Sequence, residues 1–163
     1  MAPRADTPAP RPPRTADGAT PGADTAYDIA SLTKVVATWP LVGRAVDAGL
    51  LGGVAGHAGV FSTARDLARY AAHLVDPAGR LYGWLRTSTR PFAPIGTGLD
   101  RGLSWICAPG DVAYHHGFTG TSPYLAPTAG RYLAICTNAV YHGEARRRIA
   151  PLRALALKTV TAT

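Results

Sequence analysis

The chain of 163 residues is poor in lysine, cysteine, methionine and asparagine. Only two of its 17 basic residues are lysines, Lys34 and Lys158, so each is worth attention. The two cysteines, Cys107 and Cys136, follow no metal-ligand or redox spacing. Both fall in apolar, strand-like runs, where a free buried thiol is the usual state, with a cross-strand disulfide left undetermined. No apolar run is long enough to cross a membrane. The opening "MAPRADTPAPRPPR" also lacks the apolar segment of a secretory leader. As it stands, the chain reads as soluble and cytoplasmic, with no membrane partner.

Acidic residues are scarce too, 10 against 17 basic, for a net charge of +7. Such a charge suits an anionic surface or nucleic acid. Arg4, Arg11 and Arg14 lie in the proline-rich start, however, and Arg146, Arg147 and Arg148 near the end. No zinc-finger spacing or basic–aromatic stripe accompanies them. They read as solvated arginines, and no nucleic-acid partner is expected.

What is present is a core. Nearly half the residues are apolar, enough for one globular domain. Residues 1–24, rich in Pro, Ala, Thr and Gly, read as a flexible lead-in, and 25–163 as the domain. The apolar spacing of Leu32, Val35, Val36, Trp39, Val42 and Val46 predicts a helix from Ser31 to Leu50, kinked or split at Pro40 and ended by Gly49. The glycine-crowded "LLGGVAGHAGVFST" is a loop. Thr63 with Asp66 makes a capping-box start to a helix over 63–75, with Leu67, Tyr70, Ala71 and Leu74 on one face. From Gly102 onward, "GLSWICA", "VAYHHGF", "SPYLAP" and "RYLAICTNAV" predict an antiparallel meander of three or four strands. A last helix, Glu144 to Lys158, is interrupted or restarted at Pro151. The order of elements favours an α+β fold, an antiparallel sheet flanked by helices.

Within "YDIASLTKVVATW" a serine stands three places before a lysine. Positions i and i+3 of a helix share a face, so Ser31 and Lys34 point the same way. An amine held beside a hydroxyl can take its proton and make it a nucleophile. Serine is equally a common helix N-cap, and lysine a snorkelling surface residue, without any chemistry.

Three segments in order, "YDIASLTKVVAT", "GHAGVFSTARDLARYAAHLV" and "HHGFTGTSPYLAPTAGRYLAICTNAV", resemble the serine β-lactamase-related family of class C-type β-lactamases, DD-peptidases and esterases. The resemblance covers most of residues 25–140. It implies a β-lactamase/transpeptidase-like fold in truncated form, with an apparent deletion near 51–54 and most of a helical lobe gone. Ser31 resembles the nucleophile and Lys34 the lysine that activates it. His115, His116 and Gly117 align with the family's Lys-Thr-Gly or His-Thr-Gly strand motif, His115 taking the basic position in the cleft. The N–H groups of Ser31 and Phe118 would form the oxyanion hole. Because neighbours on a strand face opposite ways, one of the two histidines is expected in the cleft, and His115 is the choice.

Two departures stand out. His116 replaces a threonine. The family's Tyr-x-Asn or Ser-x-Asn motif cannot be present, because Asn138 is the sole asparagine and Cys136 stands two before it. Tyr27, Tyr70 and Tyr114 are candidates to replace the tyrosine, and spacing selects none. With His57, the two histidines lack a carboxylate or cysteine at metal spacing, so no metal site is expected. No cofactor is implied. The expected activity is hydrolysis of a small ester, amide or β-lactam-like substrate through an acyl-enzyme on Ser31. A catalytically inactive member that binds a ligand or partner is the alternative.

Overall fold

The computed structural model describes residues 20–41, 44 and 61–162. Elsewhere lie Val42, Val46, Gly49, the junction near 51–54 and the "GHAG" segment with His57, so those expectations fall outside the described residues.

A short strand, β1 (Ala26–Asp28), pairs antiparallel with β2 (Phe61–Thr63). Between them in sequence comes the segment that carries Ser31. It begins as a single 3-10 turn, Ala30–Leu32, and widens at once into a π turn, Lys34–Thr38, with residues 39–41 helical beyond. The helix expected from Ser31, kinked or split at Pro40, thus opens with a tight turn and a loose one ahead of the proline. Pro40 accounts for the loose one. It has no N–H to give, and its ring crowds the carbonyls one turn back. Trp39 donates to the Lys34 carbonyl across the wide turn. The next donor in that pattern would be Pro40 itself, bonding to Val35 O. Instead the Tyr70 hydroxyl donates to Val35 O at 2.5 Å. A side chain thus supplies the hydrogen that proline lacks.

Helix α1 (Ala64–Val75) is capped as its sequence predicts, the Thr63 hydroxyl accepting from Asp66 N at 3.1 Å. Leu67, Ala71 and Leu74 turn inward. Residues ahead of β1 also hold to it: Arg65 N donates to Ala23 O at 3.1 Å, and its guanidinium pairs with Asp24. A second helix, α2 (Tyr82–Ser88), was not expected, being a single seven-residue stretch with too few repeats to show a period.

Among the described residues, six strands form one antiparallel sheet in sequence order. They are β3 (Ala93–Gly96), β4 (Leu99–Arg101), β5 (Ile106–Ala108), β6 (Val112–Tyr114), β7 (Ser122–Ala126) and β8 (Arg131–Ile135). The meander is thus longer than expected, and its strands are shorter. Strand β6 ends at Tyr114, so His115 and His116 sit just beyond it rather than on it. After β8, a 3-10 run (Ala139–Ile149) bends at Gly143 and leads into α3 (Ala150–Thr161). Of the interruption or restart expected at Pro151, the structure has the restart: Pro151 lies in the first turn of α3, where its missing N–H costs nothing.

The sheet has a core on each face, and the alternation along β6 and β7 assigns side chains to them. Ala113 and Leu125 join Leu32, Val35, Trp39, Leu67, Leu74, Leu85 and Trp105 on one side. Val112, Tyr114, Tyr124 and Ala126 meet Ala156 and Val160 of α3 on the other. The fold is α+β, helices on both faces of an antiparallel sheet. All three tryptophans converge on the first side. Trp39 stacks on Trp84 at 5.9 Å and meets Trp105 edge-on at 5.8 Å. Its indole N–H donates to the buried Ser88 hydroxyl at 2.6 Å, and Trp84 Nε1 donates to Trp39 O at 3.2 Å. These contacts pin the Ser31 segment to α2 and to the sheet. Both cysteines are free thiols. Among the described residues, no helix is long and apolar enough to cross a membrane.

Candidate active site

Ser31 is half-buried between the buried Ala30 and Leu32. The 3-10 turn has no side-chain cap, so Ser31 is not there to cap it. Lys34 Nζ instead donates to Ser31 Oγ at 3.1 Å. Ala30, directly before the serine, has φ +46°, a conformation L-residues avoid. Such strain survives only where surrounding structure holds it, and here Ile29, Leu32 and Val35 are fully buried.

Facing this turn is the loop from His115 to Thr121. Gly117 N donates to Thr121 O at 2.8 Å, and Gly120 N to Gly117 O at 3.0 Å. A Cβ at Gly117 would lie 2.9 Å from Ile29 O and 3.0 Å from Thr121 O. Glycine is therefore required for the loop backbone to press against the Ser31 turn. The loop is also tied to the end of β8. Thr137 Oγ1 and Ala139 N each donate to Thr119 O at 2.8 Å, and Thr137 N donates to Thr121 Oγ1 at 3.2 Å.

Between the turn, the loop and the start of α3 lies an open cavity of about 810 Å³. Ser31, His116, Gly117, Phe118, Gly120, Arg147, Ile149 and Arg153 line it, together with Ala139 and Ala150. Of the residues singled out from sequence, Ser31, His116, Gly117 and Phe118 thus meet at one place, with Lys34 behind the serine. The expectation that His115 rather than His116 faces this cleft is reversed. His115 is half-buried within reach of the charges of Arg101 and Lys34, its Nδ1 buried with no partner among the described residues. Burial first, then those two cations, holds its pKa down at about 4. Burial, Arg153 and His115 do the same to His116, also about 4. Both rings are neutral at pH 7.

Two lining residues escaped sequence reading. Arg147 read as a solvated arginine and Arg153 was not singled out, yet both border the cavity, and Arg153 Nη2 donates to Gly117 O at 3.1 Å. Nothing local marks them, because packing of the C-terminal segment on the loop decides it. The tyrosine candidates are accounted for elsewhere: Tyr70 holds Val35 O, Tyr27 lies near Cys136, and Tyr114 stacks with Tyr124 in the second core. Asn138 is exposed at the start of the 3-10 run and does not line the cavity. Among the described residues, no three His, Cys, Asp or Glu side chains are grouped to hold a metal ion.

The arrangement defines a class, an α+β protein with a serine–lysine pair at a cleft beside the middle of an antiparallel sheet. The family model described as Beta-lactamase matches residues 42–158, most of the chain, and the chain belongs to that family. The match begins beyond Ser31 and Lys34 and takes in the His115–Phe118 loop and most of α3. The family is in general hydrolytic and acts on small molecules. No curated protein matches the chain.

Proposed function

We propose that the protein is a serine hydrolase that cleaves a small ester or amide through an acyl-enzyme on Ser31. The observation that carries this reading is the 3.1 Å contact between Lys34 Nζ and Ser31 Oγ, with the serine at the wall of a cavity. In its unprotonated form the amine takes the hydroxyl proton as Oγ bonds to the substrate carbonyl carbon. The Ser31 and Phe118 N–H groups are the assigned donors to the oxyanion. This pairing is supported by the close approach of Gly117 to Ile29, which brings the loop backbone against the serine turn. Two such donors are worth about 3 kcal/mol of barrier each. The carbon–oxygen or carbon–nitrogen bond then breaks, and the leaving group departs with the proton from Lys34. Water hydrolyses the acyl group and restores the serine.

The arginines bordering the cavity favour substrates that carry an anionic group near the scissile bond. An activated ester fits better than a peptide, because the cavity is open and leaves the leaving group in water. The absence of any Tyr-x-Asn motif favours a second reading, a ligand-binding member without turnover.

Intact-protein mass spectrometry separates the two. After incubation with a fluorophosphonate and, separately, a β-lactam, an adduct on the wild type that is absent from Ser31→Ala supports the hydrolase. A folded protein that takes up neither reagent overturns it in favour of binding.

A further inference from the structure

We propose that Arg153 is a positioning residue for the oxyanion hole: by donating to Gly117 O it sets and polarises the peptide whose other end is the Phe118 N–H. The proposal rests on the acyl-enzyme reading and deepens it, adding a residue that acts through the loop rather than on the substrate.

The first argument is covalent. Gly117 C=O and Phe118 N–H belong to one planar peptide group, which is trans, so they point in opposite directions. Whatever fixes the oxygen fixes the hydrogen. Gly117 O accepts twice, from Gly120 N at 3.0 Å within the turn and from Arg153 Nη2 at 3.1 Å. The turn's own bond is neutral and runs between two glycines, whose backbones meet few steric limits. The bond from the guanidinium is charge-assisted and therefore the stronger hold. It also draws electron density toward the carbonyl oxygen, which makes the N–H at the far end of the same peptide a better donor. With the peptide flipped, a carbonyl oxygen would stand where the oxyanion needs a hydrogen.

The second argument is that Arg153 does not look like an arginine kept for stability. It is half-buried, and burial lowers its pKa. Among the described residues the ion pairs are Arg65–Asp24, Arg69–Asp66 and Arg86–Asp111, so no carboxylate pairs with it. Its Nε is buried with no hydrogen-bond partner there either. A cation withdrawn from water without a counter-ion is a cost to the fold. Helix α3 nevertheless holds it in place. Arg153 stands on the same face as Ala156 and Val160, which are buried against Tyr124 and Ala126 of the sheet. The helix packing thus delivers the guanidinium to the wall of the cavity that Ser31 and Phe118 also line. As Ser31 Oγ bonds to the carbonyl carbon, the C=O electron pair moves to oxygen. That new negative charge offsets the cost of the unpaired cation, and only in the reaction.

The test is the acylation burst of the wild type, Arg153→Met and Arg153→Lys, each first shown to melt cooperatively. The substrates are p-nitrophenyl acetate, its thionoester, and the anionic p-nitrophenyl hemisuccinate. Methionine keeps the unbranched stem and the turn's own hydrogen bond, so the loop survives. In Arg153→Met, acylation by acetate and by hemisuccinate falls by the same factor, about 10-fold or more. The thionoester changes little, because sulfur accepts hydrogen bonds weakly and draws little from the hole. Arg153→Lys keeps a charged donor and recovers part of the loss. Equal losses on acetate and its thionoester would show a merely structural role and overturn the proposal. A loss confined to hemisuccinate would make Arg153 a binder of the substrate's anionic group, and unchanged acylation in both variants would leave it no role; either result also overturns it. In these three cases the wild type still acylates, and the acyl-enzyme reading stands. No burst and no adduct in the wild type overturns both together.

Discussion

Two neutral histidines side by side make the protein sensitive to acid in a definite window. His115 and His116 have pKa values near 4 in the folded state against an ordinary 6.5. The unfolded chain therefore binds more protons than the folded one between those values. Stability is fully present above pH 6.5, declines as pH falls toward 4, and is lost at this pair below it. A shift of this size would be worth about 3 kcal/mol for a fully buried group. Each ring keeps contact with solvent, which lowers the figure to about 1–2 kcal/mol, and their mutual repulsion prevents simple addition. Together they should cost about 2–4 kcal/mol between pH 7 and pH 4, a large part of the stability of a small domain. The assay is urea denaturation at pH 7, 6, 5 and 4 on the wild type and on His115→Gln/His116→Gln. The wild-type midpoint should slide through this window at constant m, while the double variant's stays nearly level. A flat wild-type profile, or an equal slide in the variant, would refute the reasoning. Asp111, whose carboxylate is held below its ordinary pKa by Thr128 and Arg86 against its own burial, adds a separate loss only below about pH 4.

Three further outcomes are expected. Gly117→Ala places a methyl against two carbonyl oxygens that cannot swing aside. It should cost about 1–3 kcal/mol in urea denaturation and slow fluorophosphonate labelling of Ser31, so an unchanged labelling rate would contradict the assigned loop contact. Ser88→Ala leaves the buried Trp39 indole N–H without its acceptor, and a loss of about 1–3 kcal/mol should appear by the same measurement. Tyr70→Phe strips the donor from the Val35 carbonyl behind Pro40. A loss of about 1–3 kcal/mol is expected, together with faster amide hydrogen exchange in the Lys34–Thr38 turn, and unaltered exchange there would show that the hydroxyl does not hold the turn.

Much of this molecule was legible because the signals were local. The Thr63–Asp66 cap and the inward spacing of Leu67, Ala71 and Leu74 depend on residues three and four apart, so α1 could be read within its own length. The i, i+3 spacing of Ser31 and Lys34 is of the same kind, as is the change from helical to strand patterning near Gly102. Strands of three or four residues, such as Ala93–Gly96 and Leu99–Arg101, carry too few alternations to be recognised singly. These two therefore went uncounted.

By itself the sequence determined an α+β fold, which serine and lysine stand together, and that Gly117 follows two histidines in a strand-like run. Only the tertiary structure decided how these meet. The break expected at Pro40 takes the form of a wide turn ahead of it because Tyr70, from another helix, can satisfy the carbonyl left over. The chain leaves β6 at Tyr114, and so the strand rule for opposite faces no longer governs His115 and His116. Stacking on Tyr114 and Tyr124 then gives His116 the cavity, and α3 brings Arg153 to its rim. Local spacing says which side chains share a face. Which faces meet depends on burying distant surfaces together, and that is a property of the packed chain.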